Sequence, residues 1–308
     1  MSTQSNAMPE SPAVSQAVAP AAISPTRLLY WSLRRELWEN RSIYIAPLAV
    51  AAIFLFGFLL SLIHLPAKMR AASALTPAQQ HEIIQQPYSF VALLLMGTTL
   101  LVAIFYCLDA LHGERRDRSI LFWKSLPVSD LMTVLSKASI PVLVLPLITF
   151  AITIATQWIM LMLHSVVLLG SGLSVAPLWT HLSLFQMGLF GHLIGFHGFW
   201  YAPIFAWLLL VSAWARRATF LWAALPPLSI GVIEKIAFNT SYFVSLLGNR
   251  FTGPGPTESA ASTTSAMESM IESVPANFLL SPGLWIGLAI TAVFLAAAVR
   301  LRRYQGPI

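Results

Sequence analysis

The sequence predicts an all-α polytopic membrane protein with six membrane-spanning helices. Of its 308 residues, 57% are hydrophobic and 10% are charged, whereas a soluble domain carries about 25% charged residues. Six apolar segments approach or exceed the roughly 20 helical residues that a bilayer core requires. These segments lack the strict alternation of a barrel strand and are too long for one, so helices are the expected form.

Charge and cysteine content narrow the class further. The net charge of +6 is interpreted as basic loops that fix membrane topology, so no nucleic-acid partner is expected. The single cysteine, Cys107, excludes an intrachain disulfide framework and a cysteine-based zinc finger. The chain contains no GxxxxGK[ST], HExxH or GxSxG motif, so no nucleotide-binding loop of its own is predicted.

The N-terminal region divides into two parts. Residues 1–24 have neither a basic start nor an apolar core, so we expect a disordered cytosolic tail and no signal peptide. Residues 25–41 are predicted to form an amphipathic helix along the inner leaflet, with leucines at i, i+4 and i+8. Its predicted parts are an apolar face of Leu29, Leu33 and Leu37, a polar face of Ser32, Arg35, Glu36 and Glu39, and membrane anchors Trp31 and Trp38.

The six-span domain covers residues 42–304. Its predicted spans are Ile43–Leu65, Phe90–Leu111, Ile140–Leu163, Phe199–Ala215, Ala218–Phe238 and Pro282–Leu301. With a cytosolic N-terminus, fourteen basic residues lie on the cytosolic side and four on the outside, which accounts for all 18. The positive-inside rule therefore predicts that both termini are cytosolic.

The stretch "ERRDRSILFWKSLPVSD", Glu114 to Asp130, lies between spans two and three. It is predicted to contain a short helix that ends at Pro127, followed by Ser129 as the N-cap of the next helix. The residues expected to face the membrane surface are Ile120, Leu121, Trp123 and Leu126; those expected to lean towards the cytosol are Arg118, Ser119 and Lys124. Upstream, the acids Glu114 and Asp117 stand among Arg115, Arg116 and Arg118. This mixture indicates specific ion-pair partners; the alternative is a solvated charge run that only fixes topology.

Other polar residues give weaker indications. No span has a central carboxylate, which argues against a proton- or sodium-driven transporter. His192 and His197 are five residues apart, so on a helix we expect them on different sides and not as a metal pair. In the outer loop Asn239–Ser281, a flexible start and a small amphipathic helix between Met267 and Val274 are expected.

Together, these features resemble the permease subunit of ABC-2-type ABC transporters. The resemblance covers about residues 27–304 and includes the elbow stretch "RELWENRSIYIAP", Arg35 to Pro47. In the loop between spans two and three, the matching positions are Glu114, Leu121, the run Ser125 to Ser129 ("SLPVS") and Lys137. Members often carry Gly-Thr before the apolar helix, where this chain has Arg118-Ser119.

The resemblance implies a mechanism and partners. Residues 25–41 would be the elbow helix, and the loop would carry a cytosolic coupling helix that transmits closure of a separate ATPase subunit to the spans. ATP and Mg would be bound by that ATPase, with no cofactor in this chain. A second permease copy, most simply in a homodimer, would complete an exporter in a bacterial cytoplasmic (inner) membrane. The implied coupling residues are Glu114, Arg115, Arg116, Asp117, Arg118, Ile120, Leu121, Trp123, Lys124, Leu126 and Pro127, with Arg35, Glu36, Trp38 and Glu39 in the elbow helix.

Two other functions stay open at the level of sequence. One is a membrane scaffold of the same architecture that transmits force without transport. The other is a membrane-embedded lipid-modifying enzyme, which should show clustered His, Asp or Glu at one membrane face. The exported substrate is equally open among drugs, peptides, lipids and polysaccharides.

Overall fold

Helices form all the regular secondary structure in the part of the chain that the structure describes. The structure is a computed structural model and describes residues 24–72, 74–125, 128–179, 189–252 and 278–306. Most of the predicted N-terminal tail, Leu126, Pro127 and the predicted helix between Met267 and Val274 lie outside these ranges.

Thirteen α-helices are numbered here in chain order within the described residues. They are α1 (Pro25–Glu39), α2 (Ser42–Ser61), α3 (Leu65–Ala72), α4 (Pro77–Ala110), α5 (His112–Arg116), α6 (Ser119–Ser125), α7 (Asp130–Ser139), α8 (Leu145–Gly170), α9 (Ala176–Trp179), α10 (Ala202–Trp214), α11 (Thr219–Phe238), α12 (Tyr242–Thr252) and α13 (Pro282–Tyr304). Short π-helical segments precede α8 at Ile140–Val144 and α10 at Leu193–Trp200.

Five helical stretches in the described residues are long and apolar enough to cross a membrane. They are Ser42–Ala71, Glu82–Arg116, Asp130–Gly170, Thr219–Phe238 and Pro282–Tyr304. A sixth crossing depends on Leu189–Trp200 and Ala202–Trp214, which are bent by 43° relative to each other and together have the required length and composition. Large apolar side chains such as Ile63 and Ile236 are exposed, which is the arrangement of helices that face lipid.

Local signals explain several helix starts. Thr76 and Gln79 form a capping box at the start of α4, where each satisfies the other's backbone amide. Ser129 caps α7 as predicted, because its hydroxyl accepts a hydrogen bond from the Met132 amide at 3.2 Å.

The two largest apolar cores among the described residues hold most of the bundle together. One surrounds Cys107 and Leu209 and joins α4 to the π-helical segments, α10 and α13. The other surrounds Phe58 and Met160 and joins α2, the first half of α4, and α8. The long helix α4 contributes to both cores, and its stretch is the most buried of the membrane-crossing candidates.

The helix α12 was not predicted from the sequence, which gave only a flexible loop there. Its N-terminus is capped by Glu234 of α11, which accepts hydrogen bonds from the amides of Tyr242 at 2.6 Å and Phe243 at 2.8 Å. Near its other end, Arg250 stacks on Trp200, and its guanidinium donates to the Gly283 carbonyl. Glu234 is therefore a helix cap and not part of an ion path.

Candidate functional site

Six charged side chains from four helices meet at one end of the bundle. We call this set the charge cluster: Arg35 and Glu36 of α1, Glu114 of α5, Asp130 and Lys137 of α7, and Arg302 of α13. Three acids face three bases, so the cluster has no net charge. It lies where α4 ends and where α7 leads into the apolar stretch of α8.

Glu114 is the acid that the three bases share. Its carboxylate lies 3.2 Å from the Lys137 ammonium and 3.6 Å from the Arg35 guanidinium, and it accepts a hydrogen bond from Arg302. Only 6% of the Glu114 side chain is exposed. One carboxylate therefore ties α5 to α1, α7 and α13.

A second carboxylate, Glu36, extends the cluster to α4. It receives a hydrogen bond from the Lys137 ammonium at 2.8 Å and another from the Tyr106 hydroxyl at 2.9 Å. Glu36 is buried, with 2% of its surface exposed, so its predicted place on the polar face of the first helix is wrong. It follows Leu33 by three residues and Leu29 by seven, and this spacing puts it on the leucine face.

Pairing is what makes this burial tolerable. Removing an ion from water costs several kcal/mol, and attraction offsets that cost only where the geometry and the remaining hydrogen bonds are good. Asp130 supplies part of that pairing, because its carboxylate accepts a hydrogen bond from Nε of Arg302 at 3.1 Å. The loss of one member would leave a charge buried without its counter-ion.

The structure separates the predicted coupling residues into buried and exposed groups. Glu114 and Arg115 are buried, so a fully solvated charge run is wrong for these two residues. Arg115 donates to the carbonyl of Ala213 at 2.6 Å, which fixes the end of α10. Arg116, Asp117 and Arg118 are exposed as expected.

The predicted short helix between spans two and three is α6, and one residue of its predicted membrane face, Ile120, differs from the expectation. Ile120 is buried against protein, not lipid, with 1% exposed, whereas Leu121 is 58% and Phe122 is 60% exposed. The Trp123 ring is covered by the Arg35 guanidinium, 3.1 Å from the ring centre. Lys124 donates to the carbonyl of Gln305 at 3.1 Å. Leu126 and Pro127 fall outside the described residues.

The first helix contributes both to the cluster and to the surface. Arg35 forms an i,i+4 ion pair with Glu39 at 2.9 Å while it also reaches Glu114 and Trp123. Trp38 is 70% exposed, and the Arg34 guanidinium lies 5.4 Å from its ring centre. Trp31 is exposed as well, and the role of both tryptophans as membrane-interface anchors stays a prediction.

Sequence reasoning missed three members of the charge cluster and one of its neighbours. Arg302 was counted only as a topology-determining base, Lys137 only as a base and a motif position, and Asp130 only as the end of the charged stretch. The neighbour Tyr106, which donates to Glu36, was not singled out at all. A usable signal existed, because a base inside an otherwise apolar helix usually has a buried acid as its partner. The chain offers few acids near helix ends, and Glu114 was among them.

The two histidines lie closer together than the sequence predicted. The segment that leads from His192 to His197 is π-helical, and its i to i+5 periodicity brings the two ring centres to 5.6 Å from each other, with the ring planes tilted by 54°. Across the described ranges, no group of three or more His, Cys, Asp or Glu side chains is arranged to hold a metal ion.

Comparison with known proteins gives no assignment. No protein-family model, no curated protein and no solved structure matches the chain. The resemblance to ABC-2-type permeases is therefore carried by the residues of this chain alone. The features of the chain that bear on its function are the charge cluster and the short helix α6 beside it.

Proposed function

We propose that this chain is the membrane-spanning permease subunit of an ATP-driven exporter that works with a separate ATPase subunit. Its charged end faces the cytosol of a bacterial cell, with both termini on that side of the cytoplasmic membrane. The ATPase carries ATP and Mg, and a second copy of the permease completes the transporter. The six crossings include the bent pair of helices at Leu189–Trp214 as one span.

The observation that supports this proposal best is the pairing of Glu114 with Lys137 and Arg302 beneath an exposed short helix. Glu114 and Lys137 are the charged positions that carry the resemblance, and their side chains lie 3.2 Å apart. A segment that only fixed topology would need bases in water and no buried acid. A segment that transmits force needs a stiff connection to several helices, which a shared buried carboxylate provides.

The surface that would bind the ATPase lies on the other side of the same segment. We call it the docking face, and its members are Arg116, Asp117, Arg118, Leu121 and Phe122, all exposed. It combines two exposed apolar side chains with charges of both signs, which suits an interface with an apolar centre and a charged rim.

The contacts suggest how movement would pass inward. A push on α6 would reach α1 through Trp123 and Arg35, and the C-terminal end of α13 through Lys124 and the Gln305 carbonyl. The charge cluster would pass the same push to α7, which leads directly into the apolar helix α8. In this scheme the docking face binds, and the buried cluster transmits.

The test is to purify the tagged chain from the membranes of its host in mild detergent and identify what is retained. A P-loop ATPase should copurify, the complex should hydrolyse ATP, and the chain alone should not. Robust ATP hydrolysis by the chain free of other proteins, or purification with no ATPase under conditions that preserve the fold, would contradict the proposal.

A further inference from the structure

A cavity opens at the end of the bundle opposite the charge cluster. Its volume is about 510 Å³, which falls in the range of small-molecule sites. Its walls come from α2 and α3, from the first half of α4, and from His164 of α8. The apolar part of the lining includes Phe54, Phe58, Met69, Ile84 and Phe90.

The inner part of the cavity is polar and held in place. His164 is buried, and its Nδ1 is hydrogen bonded to the Tyr88 hydroxyl at 2.9 Å. The Tyr88 carbonyl in turn accepts a hydrogen bond from the Gln157 side chain at 3.2 Å. Phe58 packs on the His164 ring with centres 4.7 Å apart. These contacts fix the ring and leave Nε2 as its second polar atom.

The charge beside the cavity is positive. Lys68 contributes it, and no aspartate or glutamate is among the lining residues that the structure describes. Lys68 is exposed and forms no ion pair with any described residue. A basic group beside an apolar cavity favours an occupant that carries a negative charge.

The surroundings favour an occupant that also has an apolar part. On the same helix as Phe54 and Phe58, the neighbours Phe56 and Leu60 are 66% and 57% exposed, and Ile63 just beyond is 75% exposed. Phe90, which lines the cavity, is itself 50% exposed. The cavity therefore lies beside an apolar surface at the end of two membrane-crossing helices, where a lipid chain and its headgroup meet.

We propose that this cavity binds one anionic phospholipid from the surrounding membrane. Its phosphate pairs with Lys68, and an acyl chain lies along Phe54, Phe58 and Phe90. The site is separate from the charge cluster, and its occupancy does not depend on whether the chain is a transporter subunit.

The test uses the purified full chain in a neutral detergent, with native mass spectrometry to count bound lipid. Phosphatidylglycerol is titrated against phosphatidylcholine of the same acyl chains. The charge variant is Lys68→Glu, and its control is Arg70→Glu, which makes the same charge change on α3 away from the cavity lining. The volume variant is Gly57→Leu, because Gly57 lines the cavity and a Cβ atom there would have no neighbour within 4 Å, so the added side chain would occupy cavity space. Its control is Gly97→Leu, where the space is equally open.

The wild type should retain phosphatidylglycerol at least tenfold more tightly than phosphatidylcholine. Lys68→Glu should weaken phosphatidylglycerol binding more than tenfold, since two units of charge change beside the phosphate, while Arg70→Glu changes it less than threefold. Gly57→Leu should abolish binding and Gly97→Leu should not. Lys68 is exposed, so its variant tests the charge even if Gly57→Leu does not fold.

Equal retention of the two lipids, or unchanged binding in Lys68→Glu, overturns the proposal. Loss of binding in Gly57→Leu without any headgroup preference also overturns it, since the occupant would then be uncharged.

Discussion

Glu114 is a single carboxylate that serves bases from three different helices. Its partners Lys137 and Arg302 are each at most 4% exposed in their side chains, so water screens these pairs little. The structural consequence is that α5 cannot move away from α7 and α13 without exposing or abandoning charge. That requirement makes the residue a rigid connection rather than a surface contact.

We expect Glu114→Gln to destabilise the fold by about 3–5 kcal/mol, because it leaves Lys137 and Arg302 buried with too little negative charge. The measurement is unfolding in detergent, followed by tryptophan fluorescence. Asp117→Asn is the matched control: its side chain is 63% exposed, and its unfolding midpoint should stay at that of the wild type. Equal midpoints for Glu114→Gln and the wild type would show that the cluster does not hold the helices together.

Arg118 adopts a left-handed backbone conformation, with φ of 58°, at the turn between α5 and α6. This conformation costs residues other than glycine roughly 1–2 kcal/mol, and glycine is the residue that members of the resembled family often carry before the apolar helix. Arg118→Gly should therefore raise stability, by up to about 1 kcal/mol. Arg118→Val should lower it, since β-branched residues tolerate this region poorly.

The same unfolding assay checks the Arg118 variants. A loss of stability in Arg118→Gly as large as that in Arg118→Val would mean that the turn is not left-handed in the protein.

At the scale of elements, α6 has one face buried against protein and one face exposed. The sequence predicted a short helix here, because an apolar run lies between charged residues and a proline. It did not predict that Ile120 packs inward, since the partner surface comes from distant parts of the chain. Periodicity shows which residues share a face; it does not show what that face contacts.

The two faces of α6 lead to a prediction that separates docking from transmission. The double variant Arg116→Glu with Asp117→Lys reverses charges on the docking face, and should reduce the amount of ATPase that copurifies. Trp123→Ala removes the ring beneath Arg35, and should retain the ATPase while its activity in the complex falls several-fold. Both variants should unfold near the wild-type midpoint. If Trp123→Ala loses the ATPase to the same extent as the double variant, the buried side of α6 is part of the binding surface itself.

The π-helical segments and α12 show what local patterns could not supply. A π-helix has i to i+5 hydrogen bonds, and no pattern of side chains in the sequence indicates them. The spacing was therefore interpreted as that of an α-helix, which places His192 and His197 on different sides. For α12, the cap is Glu234, eight residues before Tyr242 and on another helix. Its partners Tyr242 and Phe243 come close only when the chain folds back.

At the scale of the whole molecule, the helical class and most apolar stretches follow from composition and run length. The helices extend past the apolar windows, for example from the predicted Phe90–Leu111 to Glu82–Arg116, since a helix continues through polar residues once packing supports it. Contacts bring the segments around Arg35, Arg115, Lys124, Lys137 and Arg302 to one end of the bundle, and the side of the membrane that this end faces stays a prediction. The pairings themselves were unpredictable, because Glu114 and Arg302 are 188 residues apart.

Which end faces the cytosol can be measured with single cysteines in a Cys107→Ala background. Cys107 is fully buried, so its removal should cost only a small packing defect. An impermeant thiol reagent on intact cells should label Tyr242→Cys, at a position that is 76% exposed, and spare Ser125→Cys until the cells are opened. Labelling of Ser125→Cys alone in intact cells would mean that the orientation is opposite to the predicted one and that the docking face lies outside the cell.

The central claim is that the docking face beside the charge cluster binds an ATPase, and a site-specific photo-crosslink tests it most directly. A photoreactive amino acid replaces Asp117 on the docking face or, as the control, Ser245 on α12 at the opposite end; both positions are exposed. After irradiation of whole cells, the crosslinked products are purified and sequenced. The account predicts a crosslink to a P-loop ATPase from position 117 and none from position 245. A crosslink to that ATPase from position 245, or none from position 117 although the ATPase copurifies with the same variant, would contradict it.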